Sequence, residues 1–519
     1  MFKNVGANWA LSALQILVLL RLAPFVVESL GRAQNGLWVT IVSLTGALQL
    51  LILGVPMASV RYIAEHVARK DARGANAALS TCLAICVGLG VAALAVGAVL
   101  CLFFEHAYLR GPQAAGLSPE AIQGARLAIA VVVLQIAMAF AMRMPYGVFD
   151  AHHDFVARNA IMAGELLFRF GVTIGLLAWK ATLPVLATVQ IACMVFEFAV
   201  ALLVLRRRHP EIRFGLGSFD RSLVRTILGF SVFAMLLNVG NLLAFRCDAL
   251  VIGAKLEATQ VTFFDIGNKF FEPMTGLLLA VGAVVMPMTT KLQATGEREE
   301  MRRLFLRWSK ISLSIVLVIG VYLLVLGPEF LAWWVGPDFA RPSGSVLRIL
   351  MLSFLVYLPV RGVALPVLLG LGRLRAPALA LLAMGIVNLA LSLVLVGPFG
   401  IVGVAVGTAI PNVLFACALL VLACRELAVP VGSYLSYVAR RAAIGACAPL
   451  GLLLLLKYAA RVESFPALFA SGLASVLAFA LVWILYVCRG DPYLDLRAAF
   501  GYGAEPPETD PRRALPPRP

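Results

Sequence analysis

The residues best suited to chemistry lie in one stretch, VTFFDIGNKFFEPMTGLLLAVGAVVMPMTTK at 261–291, where Asp265, Asn268, Lys269 and Glu272 recur at i, i+3, i+4 and i+7. On a helix those spacings share one face. The remainder is apolar, and about 20 such residues suffice to cross a bilayer. A charged group at the bilayer centre costs on the order of 2.5–3.5 kcal/mol on insertion scales, so the stripe must face protein or a water-filled cavity. Two chemistries fit. Either the ammonium and amide groups hold an anionic ligand in a central cavity while Asp265 or Glu272 takes up a proton or Na⁺, or the charges form ion pairs that only fix helix packing.

The elements that must hold this stripe are membrane spans. Mean hydropathy is +0.93, and 61% of the 519 residues are hydrophobic against 13% charged, which excludes an ordinary soluble domain. Hydropathy predicts an all-α polytopic membrane protein of about 14 transmembrane helices, near 6–28, 36–60, 78–104, 121–142, 159–179, 183–205, 225–246, 261–290, 304–326, 343–370, 376–396, 401–423, 440–460 and 467–487. The first apolar run has no small-residue cleavage site before Arg21, so it reads as a retained span. The nine cysteines form no CxxC pair and lie mostly in apolar runs, which argues against a disulfide framework or a zinc site.

The formal charge of +16 is concentrated in short loops on one side, so no nucleic-acid partner is expected. Arg69, Lys70 and Arg73, the run Arg206, Arg207 and Arg208, and the group Arg302, Arg303, Arg307 and Lys310 all belong to that side. The alternate loops hold only isolated cations such as Arg32, Arg110, Lys180 and Lys255. This bias predicts an inner (plasma) membrane protein with both termini cytoplasmic. The outer loops are too short for an external catalytic domain, and no GxxxxGK[ST] loop is present, so neither an enzyme nor a bound cofactor is expected. His152 and His153 have no metal-spaced ligands in the sequence and read as solvated. The Pro-rich tail, 491–519, reads as disordered.

Arg21, Arg126, Arg169, Arg246, Lys269, Arg348 and Arg361 fall inside spans. All of them facing lipid would cost on the order of 20 kcal/mol, so most must face inward or reach an interface. Arg126 and Arg348 begin their spans and either snorkel to headgroups or turn inward. Arg169 is mid-span with Glu165 one turn before it, which gives either a neutralising pair or a substrate contact, with Glu165 a further candidate for ion coupling. Asn238, Asn241 and Asn268, with Gln15 and Gln49, either donate to ligand hydroxyls or tie helices together.

The chain carries signs of an internal repeat. LGRAQNGLWVTIVSL (30–44) parallels IGAKLEATQVTFFDI (252–266), and each following span ends near a proline and then a basic residue, Pro56 with Arg61 and Pro287 with Lys291. Two parallel six-span copies would face one another across a cleft, where repeat transporters bind substrate. The expected division is 1–222, 223–424, two additional helices over 425–490, and the tail.

Four stretches carry a family resemblance: RLAPFVVESLGRAQNGLWVTIVSL (21–44), GVPMASVRYIAEHVARKD (54–71), 245–292 around FFDIGNKFFEP, and IVNLALSLVLVGPFGIVGVAVGTAI (386–410). They resemble the multidrug/oligosaccharidyl-lipid/polysaccharide exporter superfamily, in its polysaccharide flippase branch, O-antigen flippase-like and related to lipid II flippases and multidrug antiporters. The resemblance implies two six-helix lobes in a V plus two C-terminal helices. It also implies alternating access that moves a polyprenyl-pyrophosphate-linked oligosaccharide to the outer leaflet, with membrane lipids and polysaccharide polymerase machinery as partners of a monomer. Lys269 stands where lipid II flippases carry an arginine in a Tyr-Ala-(Asp/Asn)-Arg-Leu-x-x-(Leu)-Pro motif; lysine keeps the charge and loses the bidentate fork. Arg21 and Arg61 stand near basic positions of the first two spans. The expected substrate set is therefore Lys269, Arg21, Arg61, Arg246, Arg169, Arg361 and Asn268. A multidrug/cation antiporter of the same fold is the alternative, and its cavity would be more acidic and aromatic.

Overall fold

The computed structural model describes residues 2–52, 54–114, 117–460, 462–489, 491 and 493, without the side chains of 2–10, 12 and 228–238. Among the described residues the chain is helical and has no strand. The helices are α1 (Phe2–Thr45), α2 (Val55–Ala68), α3 (Ala72–Phe104), α4 (Pro119–Met142), α5 (Met144–Ala151), α6 (Phe155–Trp179) and α7 (Leu183–Arg208). They continue as α8 (Arg221–Phe245), α9 (Cys247–Lys255), α10 (Ala258–Asn268), α11 (Phe271–Thr295), α12 (Arg298–Trp334), α13 (Pro342–Gly370), α14 (Arg375–Glu426), α15 (Val431–Tyr434), α16 (Arg441–Ala460) and α17 (Phe465–Val482).

The starts of these helices follow from side-chain capping. Asp71 accepts from the Gly74 N–H at 2.9 Å, Ser118 from Ala121 at 3.2 Å and Asp154 from Ala157 at 3.3 Å, each satisfying a donor that the first turn leaves unpaired. Among the described residues, eleven helical stretches are long and apolar enough to cross a membrane. Two of these are divided by glycines. Gly31 in α1 (φ 75) and Gly400 in α14 (φ 58) adopt positive φ values that favour glycine. At Gly400 the chain doubles back, for a Cβ on Gly407 would sit 2.7 Å from Ser392 Oγ and one on Gly403 2.1 Å from the Leu395 carbonyl oxygen.

The predicted span over 261–290 lies in one apolar stretch, Ala258–Thr295, but it is broken into two helices, α10 and α11, at Lys269 and Phe270. Pro273 supplies the reason: it has no N–H to give the Lys269 carbonyl, and its ring clashes with that same carbonyl. Lys269 thus caps the C-terminal end of α10, where a cation complements the helix dipole.

Buried apolar side chains form one cluster drawn chiefly from α1 to α7 and another drawn chiefly from α9 to α14. A third joins α12 to α16 and α17. Lys310, expected among the solvated loop cations, is only 1% exposed, and its Nζ donates to Asp491 and, at 3.0 Å, to the Val487 carbonyl. Asp491 also accepts from Tyr437 Oη at 2.6 Å. The expected disordered tail lies outside the described residues apart from Asp491 and Tyr493, and these two are packed, with Tyr437 and Tyr493 edge to face.

Breaking a buried pair on one side costs about 3–5 kcal/mol, because the other charge stays buried and unpaired. Lys310→Met is therefore expected to lower the thermal unfolding midpoint in detergent markedly, and Lys310→Met with Asp491→Leu is expected to recover most of it. Equal midpoints for the single variant and the parent would contradict this anchor.

Candidate substrate cavity

The residues singled out in the sequence converge only in part. A cavity of about 630 Å³ is lined by residues of α1, α6, α7, α9, α10 and α11 together with Phe245 and Arg246 at the end of α8. From α1 it receives Gln15, Leu19, Leu22 and Val26 on one face, and Asn35, Trp38 and Ser43 beyond the Gly31 break. Arg169, Arg246, Asp265, Asn268, Lys269 and Glu272 all line it.

Every basic group in its wall is held by an acid. Lys269 Nζ donates to Asp265 Oδ2 at 2.8 Å across one turn of α10. Arg246 stands 3.6 Å from Glu272. Arg169 Nε donates to Glu165 Oε1 at 2.8 Å, and its NH1 donates to Gln190 Oε1 at 2.6 Å. Arg246 and Lys269 both sit at the C-terminal ends of helices broken inside the bundle, α8 and α10. The lining thus holds three cations and, with Asp248, three carboxylates, so its formal charge is zero. The two readings left open by the sequence meet here: the charges are paired, and they face a cavity.

Three expected cavity residues, Arg21, Arg61 and Arg361, do not line this cavity. Arg21 lies two residues beyond Leu19, about 200° around α1 from a residue that lines the cavity. Arg61 is on α2, which contributes nothing to the lining, and lies over the Tyr62 ring at 5.7 Å. Arg361 of α13 donates to Asn241 Oδ1 at 3.1 Å and is sandwiched near the Phe245 and Tyr357 rings at 5.4 and 5.6 Å. Among the amides, Gln15 and Asn268 line the cavity, Gln49 does not, and the side chain of Asn238 lies outside the described residues. Arg126 pairs with Glu105 at 2.9 Å and Arg348 donates to the Leu324 carbonyl at 3.1 Å. His152 is also a correction: its side chain is 14% exposed and its ring centroid lies 4.0 Å from that of His209, whereas His153 is exposed as expected.

Sequence reasoning missed Asp248 as a site residue. It lines the cavity, is 4% exposed, and accepts from Thr408 Oγ1 at 2.8 Å, with Ser392 Oγ at 3.5 Å. Asn388 Oδ1 completes this oxygen cluster, 3.0 Å from Ser392 Oγ. No ion pair reaches Asp248 among the described residues. The sequence signal was present as an acid inside an apolar run; its hydroxyl partners lie 144 and 160 residues away.

Beside the cavity, α1 packs directly on α10 and reaches Asp338. Asn35 donates to Thr262 Oγ1 at 3.2 Å, Thr262 donates to the Arg32 carbonyl at 2.6 Å, and Arg32 pairs with Asp338. Gly36 packs so closely on α10 that a Cβ would sit 1.8 Å from the Ala258 carbonyl oxygen.

A family of proteins described as "Polysaccharide biosynthesis protein" matches residues 121–341. An uncharacterized membrane protein, EpsK, of Bacillus subtilis (strain 168) is 21% identical over 502 residues, spanning 93% of this chain and 95% of its own. The lipid II flippase MurJ in an inward closed conformation superposes with a TM-score of 0.68 at 14% identity, covering 93% of this chain and 98% of the flippase. An inward-facing multidrug resistance MATE family transporter of the MOP superfamily gives 0.66 at 16% identity, covering 82% and 98%. A MOP superfamily transporter from Pyrococcus furiosus, described as having a binding pocket of reverse polarity, gives 0.58 at 17%, covering 82% and 96%. This chain is a multi-pass membrane protein that shares the fold of these solved transporters and of the flippase.

The close approach at Gly36 gives a direct check on the contact of α1 with α10. Overpacking typically costs about 1–3 kcal/mol, so Gly36→Ala is expected to lower the unfolding midpoint. Gly46→Ala, where a Cβ meets nothing within 4 Å, is expected to leave it unchanged. Identical midpoints for the two variants would contradict the contact.

Proposed function

We propose that this protein moves a polyprenyl-pyrophosphate-linked oligosaccharide, a surface polysaccharide precursor, from the inner to the outer leaflet by alternating access. The lobes are 1–222 and 223–424, with 425–490 as additional helices. The protein works in the inner membrane as a monomer with both termini cytoplasmic, alongside polysaccharide polymerase machinery. The observation that carries this reading is the cavity itself, whose membrane-embedded wall combines Arg169, Arg246 and Lys269 with Gln15, Asn35, Gln190 and Asn268.

The chemistry follows from those groups. A lipid-linked saccharide has an anionic, hydroxyl-rich head and a tail that never needs to leave lipid. Its diphosphate competes with Asp265 and Glu272 for Lys269 and Arg246, and charge-assisted bonds of this kind are about twice as strong as neutral ones. The amides meet sugar hydroxyls. Exporting a negative charge from an inside-negative cell is favourable by roughly 2.3 kcal/mol per charge per 100 mV.

Ion coupling is assigned first to Asp248. Asp265, Glu272 and Glu165 already face cations, whereas Asp248 and the oxygens of Asn388, Ser392 and Thr408 form the hard-ligand set that suits Na⁺ or a proton. A second reading, a multidrug/cation antiporter, draws on one observation: the carboxylates of the wall equal its cations in number.

The test is flipping of a fluorescent polyprenyl-diphosphate saccharide in proteoliposomes. The parent is expected to flip it, Lys269→Ala to lose more than tenfold in rate while staying folded and inserted, and Asp248→Asn to lose dependence on Na⁺ and pH gradients. Transport of organic cations without flipping would favour the antiporter and overturn this reading.

A further inference from the structure

We propose that His152, His209 and Glu211 form a binding site for a borderline divalent cation of the zinc class. The site lies outside the membrane spans and is independent of what crosses the cavity. His152 ends α5, His209 ends α7, and Glu211 follows two residues later. One donor atom from each lies within 4.8 Å of the other two.

The distances suit ligands better than hydrogen bonds. His152 Nε2 stands 3.8 Å from Glu211 Oε1, and His209 Nδ1 stands 3.7 Å from the same oxygen. Both exceed hydrogen-bond length. Tetrahedral ligands 2.0–2.1 Å from zinc lie about 3.4 Å apart, so both imidazoles already stand close to ligand spacing from the Glu211 oxygen.

The outer groups fix the ring nitrogens in the state that binding requires. His152 Nδ1 is 2.9 Å from the Val148 carbonyl oxygen, which can only accept, so Nδ1 carries the proton and Nε2 turns a lone pair toward Glu211. His209 Nε2 is buried without a hydrogen-bond partner and stands 3.8 Å from Asp154 Oδ2. With Nδ1 on the metal, Nε2–H faces that carboxylate, the carboxylate–histidine–metal order found around zinc.

The surroundings are already organised. Asp154 caps α6 and takes Arg208 at 2.9 Å, so the nearest fixed positive charge is compensated. Asn76 donates to the Glu211 carbonyl at 3.0 Å and accepts from the Arg213 N–H at 2.7 Å, which pins the turn to α3. Two imidazoles and one carboxylate leave a fourth position for water. A bound ion fastens the start of the 209–220 linker, which connects the two halves of the chain, to the end of α5.

The experiment is titration of tag-free, chelator-stripped full-length protein in detergent with Zn²⁺ against a chromogenic chelator. The parent and His153→Ala are expected to bind one equivalent with equal affinity. His209→Ala is expected to abolish it. Glu211→Gln and Asp154→Asn, which preserve shape and the α6 cap, are expected to weaken it by about 10–100-fold. Absence of binding by the parent, unchanged affinity in Glu211→Gln and Asp154→Asn, or displacement of Zn²⁺ by equimolar Mg²⁺ would each overturn the proposal.

Discussion

A charge taken out of water must meet an opposite charge or a dense set of hydrogen bonds, and this requirement organises the interior of the molecule. Lys269 has Asp265, Arg246 has Glu272, Arg169 has Glu165 and Gln190, and Lys310 has Asp491. Asp248 meets the requirement differently, with hydroxyls. The Lys310 pair lies at the seam of α12 with the C-terminal segment and fixes structure. The other pairs stand in or beside a cavity wall, where a ligand of suitable charge can exchange with one partner.

Backbone breaks put the charges there. Pro273 ends α10 at Lys269, and the chain breaks again at Arg246 between α8 and α9. Each cation then complements a helix C-terminus inside the bundle. Gly31 redirects α1, so that Gln15 and Asn35, on either side of it, reach the same cavity. In the proposed cycle the contacts of Asn35, Gly36 and Arg32 with α10 and Asp338 must separate, while the pairs inside exchange partners with the passing headgroup.

Much of this fold was legible because hydropathy and Lys/Arg clustering report solvent directly. The run around GPFG, for example, divides at Gly400 as the Gly-Pro signal suggested. The stripe of Asp265, Asn268, Lys269 and Glu272 was legible as inward-facing for the same reason. What the sequence concealed was three-dimensional. The break at Pro273 does not show in hydropathy, although its ring acts on the lysine of interest. Arg21 was placed by resemblance, yet helical phase turns it from the wall. Lys310 read as a loop cation because its partner lies 181 residues on, and His152 read as solvated because His209 lies far beyond it in the chain. Asp248 passed unnoticed as a site since a lone acid in an apolar run shows its hydroxyl shell only after folding.

The central claim is that the cavity's cations are shared between internal acids and an incoming diphosphate. Binding of a polyprenyl diphosphate to the purified protein, measured for the parent, Asp265→Asn and Lys269→Ala, tests it most directly. Removing the competing acid is expected to tighten binding, and removing the ammonium is expected to weaken it. Changes in the same direction for both variants, or no change in either, would contradict the account.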